Sequence, residues 1–273
     1  MGQTINTNMF SLNAQRNLNS SGASLATSMQ RLSSGLRVNN AKDDAAGLAI
    51  ADRMNSQVRG MTVAMRNAND AISLAQTAEG SIANVGDAMQ RMRELAVQSA
   101  NATNSSGDRG NLDAEFQQLV DEVNRLVTGS KFNGQNVLNS ATSWKFQIGA
   151  DAGGTNELTV TSVDLTAVDT AVAALDITTA ANATAALTAI DTQLTTVTNA
   201  RATWGAVQNR FDSVISNLQV TTENLTSARG RIMDADFAVE TANLSRSQIL
   251  QQAGTAMLAQ ANQIPQQVLR LIQ

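Results

Sequence analysis

The sequence predicts a mainly α protein, a long antiparallel helical coiled-coil rod that carries a small β-hairpin region. Three observations predict it. Apolar residues step by four and three from Met54 through Val58, Met61, Met65, Ala68, Ile72 and Ala75, then from Ala78 through Ile82, Val85, Met89, Met92 and Ala96. A second stripe of similar length runs from Leu187 to Ile232. Proline occurs once, at Pro265, and aromatic residues make up 3% of the chain, so thin helix-on-helix seams replace a thick core.

In chain order, residues 1–36 carry a weaker stripe. Ile5, Met9 and Leu12 form one short seam, and Leu18, Leu25, Met29, Leu32 and Leu36 form another after a phase slip. Asn, Gln and Ser crowd the remaining faces, so this segment is expected to order only against a partner. Gly35 is placed as a helix stop. Asn40 and Asp43 have capping-box spacing, which starts the first rod helix near Ala41 and puts Asp43-Asp44 in its first turn. The Asn/Ser/Gly-rich stretch 101–111 ends that helix near Ala100.

A third helix follows, with Leu112, Phe116, Leu119, Val123 and Leu126 on one face and Asp113 and Glu115 in its first turns. Phe132-Asn133-Gly134 reads as a turn. Trp144, Phe146 and Ile148 alternate with polar residues, as do Leu158 and Val160, and a glycine-rich turn separates them, so a β-hairpin is expected. Residues 162–184 are Ala/Thr/Val-rich and of low complexity, and their pattern selects no element. The second rod helix carries Leu187, Ile190, Leu194, Val197, Trp204, Val207, Phe211, Val214, Leu218, Thr221, Leu225, Ala228 and Ile232. After a break at 233–237 a last segment follows, in which Pro265 should kink the helix or mark its frayed end. The expected domains are 1–44 with 233–273, disordered in the monomer, and a rod of 45–232 with its hairpin region at 131–186.

Composition excludes much chemistry. Without cysteine or histidine there is no thiol nucleophile, His-based triad or His/Cys zinc site. A net charge of -4 leaves no footprint for nucleic acid. No run of about 18 apolar residues occurs, so membrane insertion is not expected, and the amino terminus lacks the pattern of a cleavable signal. Asp43-Asp44 reads as helix-start acids rather than paired catalytic carboxylates, and Asp234-Ala-Asp236 as a helix-break cluster lacking calcium-loop spacing. Gly149 to Gly154 is a turn without the lysine of a phosphate loop. The methionine stripe is packing, not ligation. No cofactor, metal or enzymatic reading remains. One face stands out: the helical phase leaves Arg91, Glu94, Leu95 and Gln98 with access to the outside, and a leucine beside an arginine can anchor a partner. On spacing alone a solvated face is the simpler reading.

The stretch Arg31-Leu-Ser-Ser-Gly-Leu-Arg-Val-Asn-Asn-Ala-Lys-Asp-Asp-Ala-Ala-Gly-Leu-Ala-Ile50 closely resembles the amino-terminal block of bacterial flagellin. So do Ala228-Arg-Gly-Arg-Ile-Met-Asp-Ala-Asp-Phe237, Ser245 to Gly254 and Leu258 to Gln266 at the other end. The resemblance covers about residues 1–140 and 187–273. It implies a secreted, extracellular structural subunit that polymerises through paired terminal helices into the flagellar filament. The assembly seam is then expected along Leu18, Leu25, Met29 and Leu32, and along Ile249, Ala253, Met257, Val268, Leu269 and Leu271. It further implies an export chaperone, filament cap and hook-junction proteins as partners. By the same resemblance a host Toll-like receptor reads the monomer at Arg91, Leu95 and Glu115 with Gln90, Glu94 and Gln98 around them. The apolar tail ending in Leu271 and Ile272 resembles the part read by cytosolic immune sensors. The alternatives are a hook-filament junction protein and, from another class, an immune ligand or adhesin.

Overall fold

The computed structural model describes the backbone of residues 7–272 and side chains as far as residue 263. Among the described residues there are six α-helices, two small strand pairs and a short 3-10 turn at Gly154–Asn156. The helices are α1 (Met9–Ser34), α2 (Ala45–Ala100), α3 (Ser106–Gly129), α4 (Thr166–Ala173), α5 (Ala180–Met233) and α6 (Phe237–Ile272). The strands are β1 (Lys131–Phe132), β2 (Gln135–Asn136), β3 (Ser143–Gln147) and β4 (Glu157–Thr161). Two compact units result: Met1–Asn55 with Asn224–Gln273, and Ser56–Glu223. The division falls inside α2 and α5 rather than at their ends.

In the larger unit α2 and α5 run antiparallel, since residue numbers rise along one as they fall along the other. Met61 meets Thr222, Glu79 accepts a hydrogen bond from Gln208 Nε2 at 2.9 Å, and Arg93 meets Asp191 at 2.7 Å. The expected α2 seam is the core: Ala68, Ala75, Ala78, Ile82, Val85, Met89, Met92 and Ala96 are all fully buried. Alanines at half of these positions let the helices approach closely. From α3, Phe116, Val120, Val123 and Val127 join them, and from α5, Ile190, Val197, Trp204 and Phe211. Val120 and Val127 stand where the spacing had placed Leu119 and Leu126, which are only half buried, so α3 is rotated slightly from its expected face.

The hairpin forms as its alternation requires. Trp144 pairs with Val160 and Phe146 with Leu158 across an antiparallel register. The inward rings reach α5: Trp144 lies 6.4 Å from Trp204, and Phe146 meets Phe211 edge-on at 5.5 Å. Asn67 of α2 donates to the Gln147 carbonyl at 3.0 Å. The Asn133-Gly134 turn joins β1 to β2 with both residues at positive φ, 48° and 79°.

In the smaller unit α1 and α6 are antiparallel partners. Asn8 donates to the Ala261 carbonyl at 2.8 Å, Leu18 packs on Gly254, and Arg31 approaches Glu240 at 3.9 Å. The breaks flanking these helices are stitched to each other. Leu36 bridges Asp234, Arg37 N–H donates to the Met233 carbonyl at 2.6 Å, and Ala235 N–H donates to that of Gly35 at 3.0 Å. Gly35 caps α1 in the left-handed conformation, φ 70°, as expected of a helix stop.

Several boundaries differ from expectation. α2 begins at Ala45, four residues late, because Asp43 turns its carboxylate back onto the N–H groups of Asn39 and Asn40, each at 3.0 Å. Those two donors hold the Asp43 carboxyl below its ordinary pKa. Asp44 then caps the helix by accepting from Gly47 N–H at 2.8 Å, so the pair precedes the first turn instead of occupying it. α3 begins six residues early, because a Ser105–Asp108 capping box outweighs Gly107 and Gly110. Asp113 and Glu115 accordingly lie beyond its first turn. α5 starts at Ala180 and not Leu187, with Ala183 and Ala186 extending its buried stripe. Within 162–184 the chain forms α4 and the beginning of α5. α6 continues past Pro265 to Ile272.

One glycine pair tests the packing. A Cβ on Gly60 would stand 2.7 Å from that of Ala150, whereas one on Gly80 meets nothing within 4 Å. Gly80→Ala should stabilise by up to about 1 kcal/mol through helix propensity. Gly60→Ala should forfeit that gain and lose about 1–3 kcal/mol to overpacking. Paired urea unfolding curves distinguish the two, and equal stabilisation would refute the close approach.

Candidate functional site

Two surfaces collect the candidate residues. The first is on α2 and α3. Arg91 is exposed and committed to two carboxylates: Nη1 meets Glu94 Oε2 at 2.8 Å, while Nη2 and Nε meet Glu115 Oε1 at 2.8 and 3.1 Å. Donating to Glu115, then to Glu94, raises the arginine's pKa further, so it is charged at every accessible pH. Gln90 and Gln98 are exposed on the same face. The structure thus brings Gln90, Arg91, Glu94, Gln98 and Glu115 together.

Leu95 is the exception. Expected to have access to the outside, it is 1% exposed and belongs to the core. α3 runs beside it: Glu115 pairs with Arg91, and Arg109 Nε donates to the Ser99 carbonyl at 2.8 Å, so α3 spans the stretch of α2 that holds Leu95. Residues 174–179, between α4 and α5, are tied across α2 and α3 by three side chains. Ser99 Oγ donates to the Ile177 carbonyl at 2.6 Å, Asp113 Oδ1 accepts from Ile177 N–H at 2.9 Å, and Gln117 Nε2 donates to the Leu175 carbonyl at 3.0 Å. Ser99, one turn beyond Leu95, is fully buried as well. Leu165, Val168, Val172 and Ile177 turn inward and are fully buried.

The second surface is on α1 and α6. Among the described residues, thirteen large apolar side chains are notably exposed. Three of them, Val63, Val97 and Val220, lie in the larger unit, and the other ten lie in the smaller. Met29 is 57% exposed, and Ile249 and Met257 are each 65% exposed. Ala253 is exposed too, while Leu18, Leu25 and Leu32 are half buried. Val268, Leu269 and Leu271 lie on α6, but their side chains fall outside the described residues. The contact between α1 and α6 is instead small and polar: Ser28, Glu240, Ser247 and Ala261 are the buried positions. An apolar groove of about 410 Å³ lies between the helices, lined by Phe10, Leu18, Leu250, Ala253, Gly254 and Met257.

Other acidic motifs have local duties. Asp236 Oδ1 accepts from the N–H groups of Ala238 and Val239 at 2.9 and 3.1 Å, capping α6. The described residues contain no group of three His, Cys, Asp or Glu that could hold a metal ion, and no helix long and apolar enough to cross a membrane.

Asp169, on α4, is the one carboxylate that burial pushes upward in pKa, opposed by the hydrogen bond from Asn124 Nδ2 at 3.0 Å. Its Oδ1 has no partner among the described residues. An acid whose folded pKa exceeds its unfolded one destabilises progressively as pH rises through that range, and below it the penalty vanishes. Asp169→Asn should therefore melt higher than the parent near neutrality, with the difference shrinking toward about pH 3. A pH-independent difference in melting temperature would refute this.

Comparison with known proteins bears on both surfaces. The family model for the bacterial flagellin N-terminal helical region matches residues 5–143, and that for the C-terminal helical region matches 187–272. A flagellin of Halalkalibacterium halodurans is 49% identical over 269 residues, spanning 98% of this chain and 99% of that one. Flagellin D of Vibrio anguillarum is 34% identical, with all of both chains covered. Among solved structures, Bacillus cereus flagellin is similar with a TM-score of 0.51 and 29% identity, over 56% of this chain and 88% of that one. A putative flagellar hook-associated protein from Vibrio parahaemolyticus shares the fold, with a TM-score of 0.57 at 14% identity, over 70% of this chain and all of that one. Long heptad-like helices, apolar stripes left open on α1 and α6, and matches to both family regions lead to one assignment: the chain belongs to the bacterial flagellins, structural subunits of the extracellular flagellar filament.

Proposed function

We propose that this flagellin polymerises through the outward apolar stripes of α1 and α6, and that the Arg91 face is read by a host Toll-like receptor while the subunit is free. The first part rests on one observation, the concentration of exposed large apolar side chains in the smaller unit. Monomeric soluble proteins rarely leave such surface uncovered. A neighbouring copy is its natural cover, and burying each such side chain contributes about 1.5–3 kcal/mol to elongation.

The same surface explains a route of delivery. A chain without disulfides, whose terminal helices meet through small and polar residues, is easily threaded unfolded through the flagellar export channel. An export chaperone would cover α6 beforehand. The cap would fold the subunit at the tip, and hook-junction proteins would seed the first turn. In the free monomer the termini lose order, and neighbours restore it by mass action. The junction-protein alternative has only a shared fold behind it, and the exposed stripes favour a subunit that adds to itself repeatedly.

Ile249→Glu and Met257→Glu should each raise the concentration needed to elongate filament seeds by about tenfold to a hundredfold, matching the loss of one buried apolar contact. Deletion of 1–35 or 240–273 should abolish elongation altogether, while limited proteolysis still yields a resistant core of about residues 45–232. Normal growth of either truncation on seeds, followed by electron microscopy, would refute assembly through the ends.

The receptor reading rests on the exposed cluster of Arg91, Glu94, Gln98 and Glu115. Arginine at the centre of a mixed polar rim is a frequent anchor. Arg91→Ala should weaken binding of a Toll-like receptor ectodomain by about tenfold or more. Its ion pairs are solvated, so the thermal melt of the larger unit should not move. Unchanged binding would remove the arginine from the proposed contact.

A further inference from the structure

We infer that Met9, Met29 and Met257 are oxidation sites, and that turning their thioethers into sulfoxides stops the subunit from adding to a filament until the sulfoxides are reduced. The block on growth rests on the assembly reading above, whereas the selectivity among methionines does not.

The chain carries ten methionines and no cysteine, so an incoming peroxide meets thioethers rather than thiols. The described methionines fall into three classes. Met61, Met89 and Met92 are buried in α2. Met54, Met65 and Met233 are half-buried. Met9, Met29 and Met257 are 65%, 57% and 65% exposed, and all three lie in the smaller unit, on α1 and α6. One residue type therefore has two settings. In the α2 seam the thioether is packing material, closed to solvent. On the terminal helices it stands largely in water, among the apolar side chains that a neighbouring copy would cover. Met9 is followed by the exposed Phe10, and Met257 lines the apolar groove together with Phe10 and Leu250.

Hydrogen peroxide from the surroundings is the co-reactant. A sulfur lone pair attacks one peroxide oxygen, the O–O bond breaks, and a sulfur–oxygen bond forms. Hydroxide departs and takes the proton of the transferred oxygen, leaving as water. Sulfur loses two electrons and the peroxide gains them. Two thiols of an external reductase reverse the change, giving the thioether, a disulfide and water. The sulfoxide is polar where the thioether was apolar. At an exposed position that costs the free subunit little. Beneath a neighbouring copy it buries an acceptor without a donor and forfeits the apolar contact. A thioether already covered is out of the oxidant's reach, so oxidation halts new growth without dissolving what is built.

Brief treatment of the monomer with dilute hydrogen peroxide, followed by peptide mass mapping, tests the selectivity. Met9, Met29 and Met257 should oxidise at least about tenfold faster than Met61, Met89 and Met92. The treated monomer should need at least about a tenfold higher concentration to elongate seeds, and methionine sulfoxide reductases A and B with dithiothreitol should restore growth. A variant carrying Met9→Leu, Met29→Leu and Met257→Leu, of similar side-chain volume, should elongate like the parent and continue to do so after peroxide. Equal oxidation of exposed and buried methionines would overturn the site assignment. Normal growth of monomer oxidised at all three positions would overturn the block, as would failure of the reductases to restore growth. Loss of growth in the peroxide-treated leucine variant would overturn it too. Normal elongation by Ile249→Glu and Met257→Glu would defeat the assembly reading and the block with it, and the peptide map would still decide the oxidation sites.

Discussion

The contact that α1 and α6 make with each other leaves most of their large apolar side chains uncovered. Everything distinctive about the smaller unit follows from that. Its interior positions are Ser28, Glu240, Ser247, Gly254 and Ala261, too small and too polar to supply much hydrophobic stabilisation. Met29, Ile249 and Met257 are large enough, and they stay largely exposed. A two-helix pair built this way is marginal by itself, and its apolar faces gain most from further copies.

The larger unit solves the opposite problem, that of standing alone with few large side chains. Its alanine-rich seam brings α2 close to its neighbours, and the few aromatics are spent where they cross-brace layers. Trp204 and Phe211 on α5 receive Trp144 and Phe146 from the hairpin. Gly60 lets the hairpin loop at Ala150 touch α2 directly. A helix propensity cost at that one position buys contact between layers.

What could be read beforehand divides along physical lines. The α2 seam was legible because a step of four and three sustained over many turns has no competing interpretation, and Ile82, Val85, Met89 and Met92 are all buried as it requires. The start of α3 was not, because Gly107 and Gly110 argue against helix, while the Ser105–Asp108 box that overrules them is local side-chain geometry. Leu95 shows a deeper limit. Helical phase assigns a residue to a face relative to one seam, and α2 buries two: Ala71, Leu74, Leu95 and Ser99 lie beside the main stripe and are covered as well. Residues 174–179 are tied to Ser99, and in the stretch before them Leu165, Val168 and Val172 carry a short helical period diluted by Ala and Thr. The resemblance named the Arg91 cluster, but it carried no information about residues 162–179, which lie outside the matching regions.

Polar residues between α1 and α6 have a positive role that weak packing alone would not explain. Half-buried Arg31 and buried Glu240 pair at 3.9 Å, flanked by Ser28 and Ser247, and Arg31 Nε has no partner among the described residues. Such a pair contributes little net stability, since desolvation offsets its attraction. It does penalise slippage, because sliding α1 along α6 by one turn would part the arginine from the buried glutamate and leave that carboxylate without its cation. Leu18 over Gly254 adds a steric peg that fits at one register only. Register is therefore set by polar and small residues inside the pair, while the large apolar residues left exposed are the surface proposed above to bind further copies. Separating the two lets a subunit present a defined apolar surface without that surface collapsing onto itself.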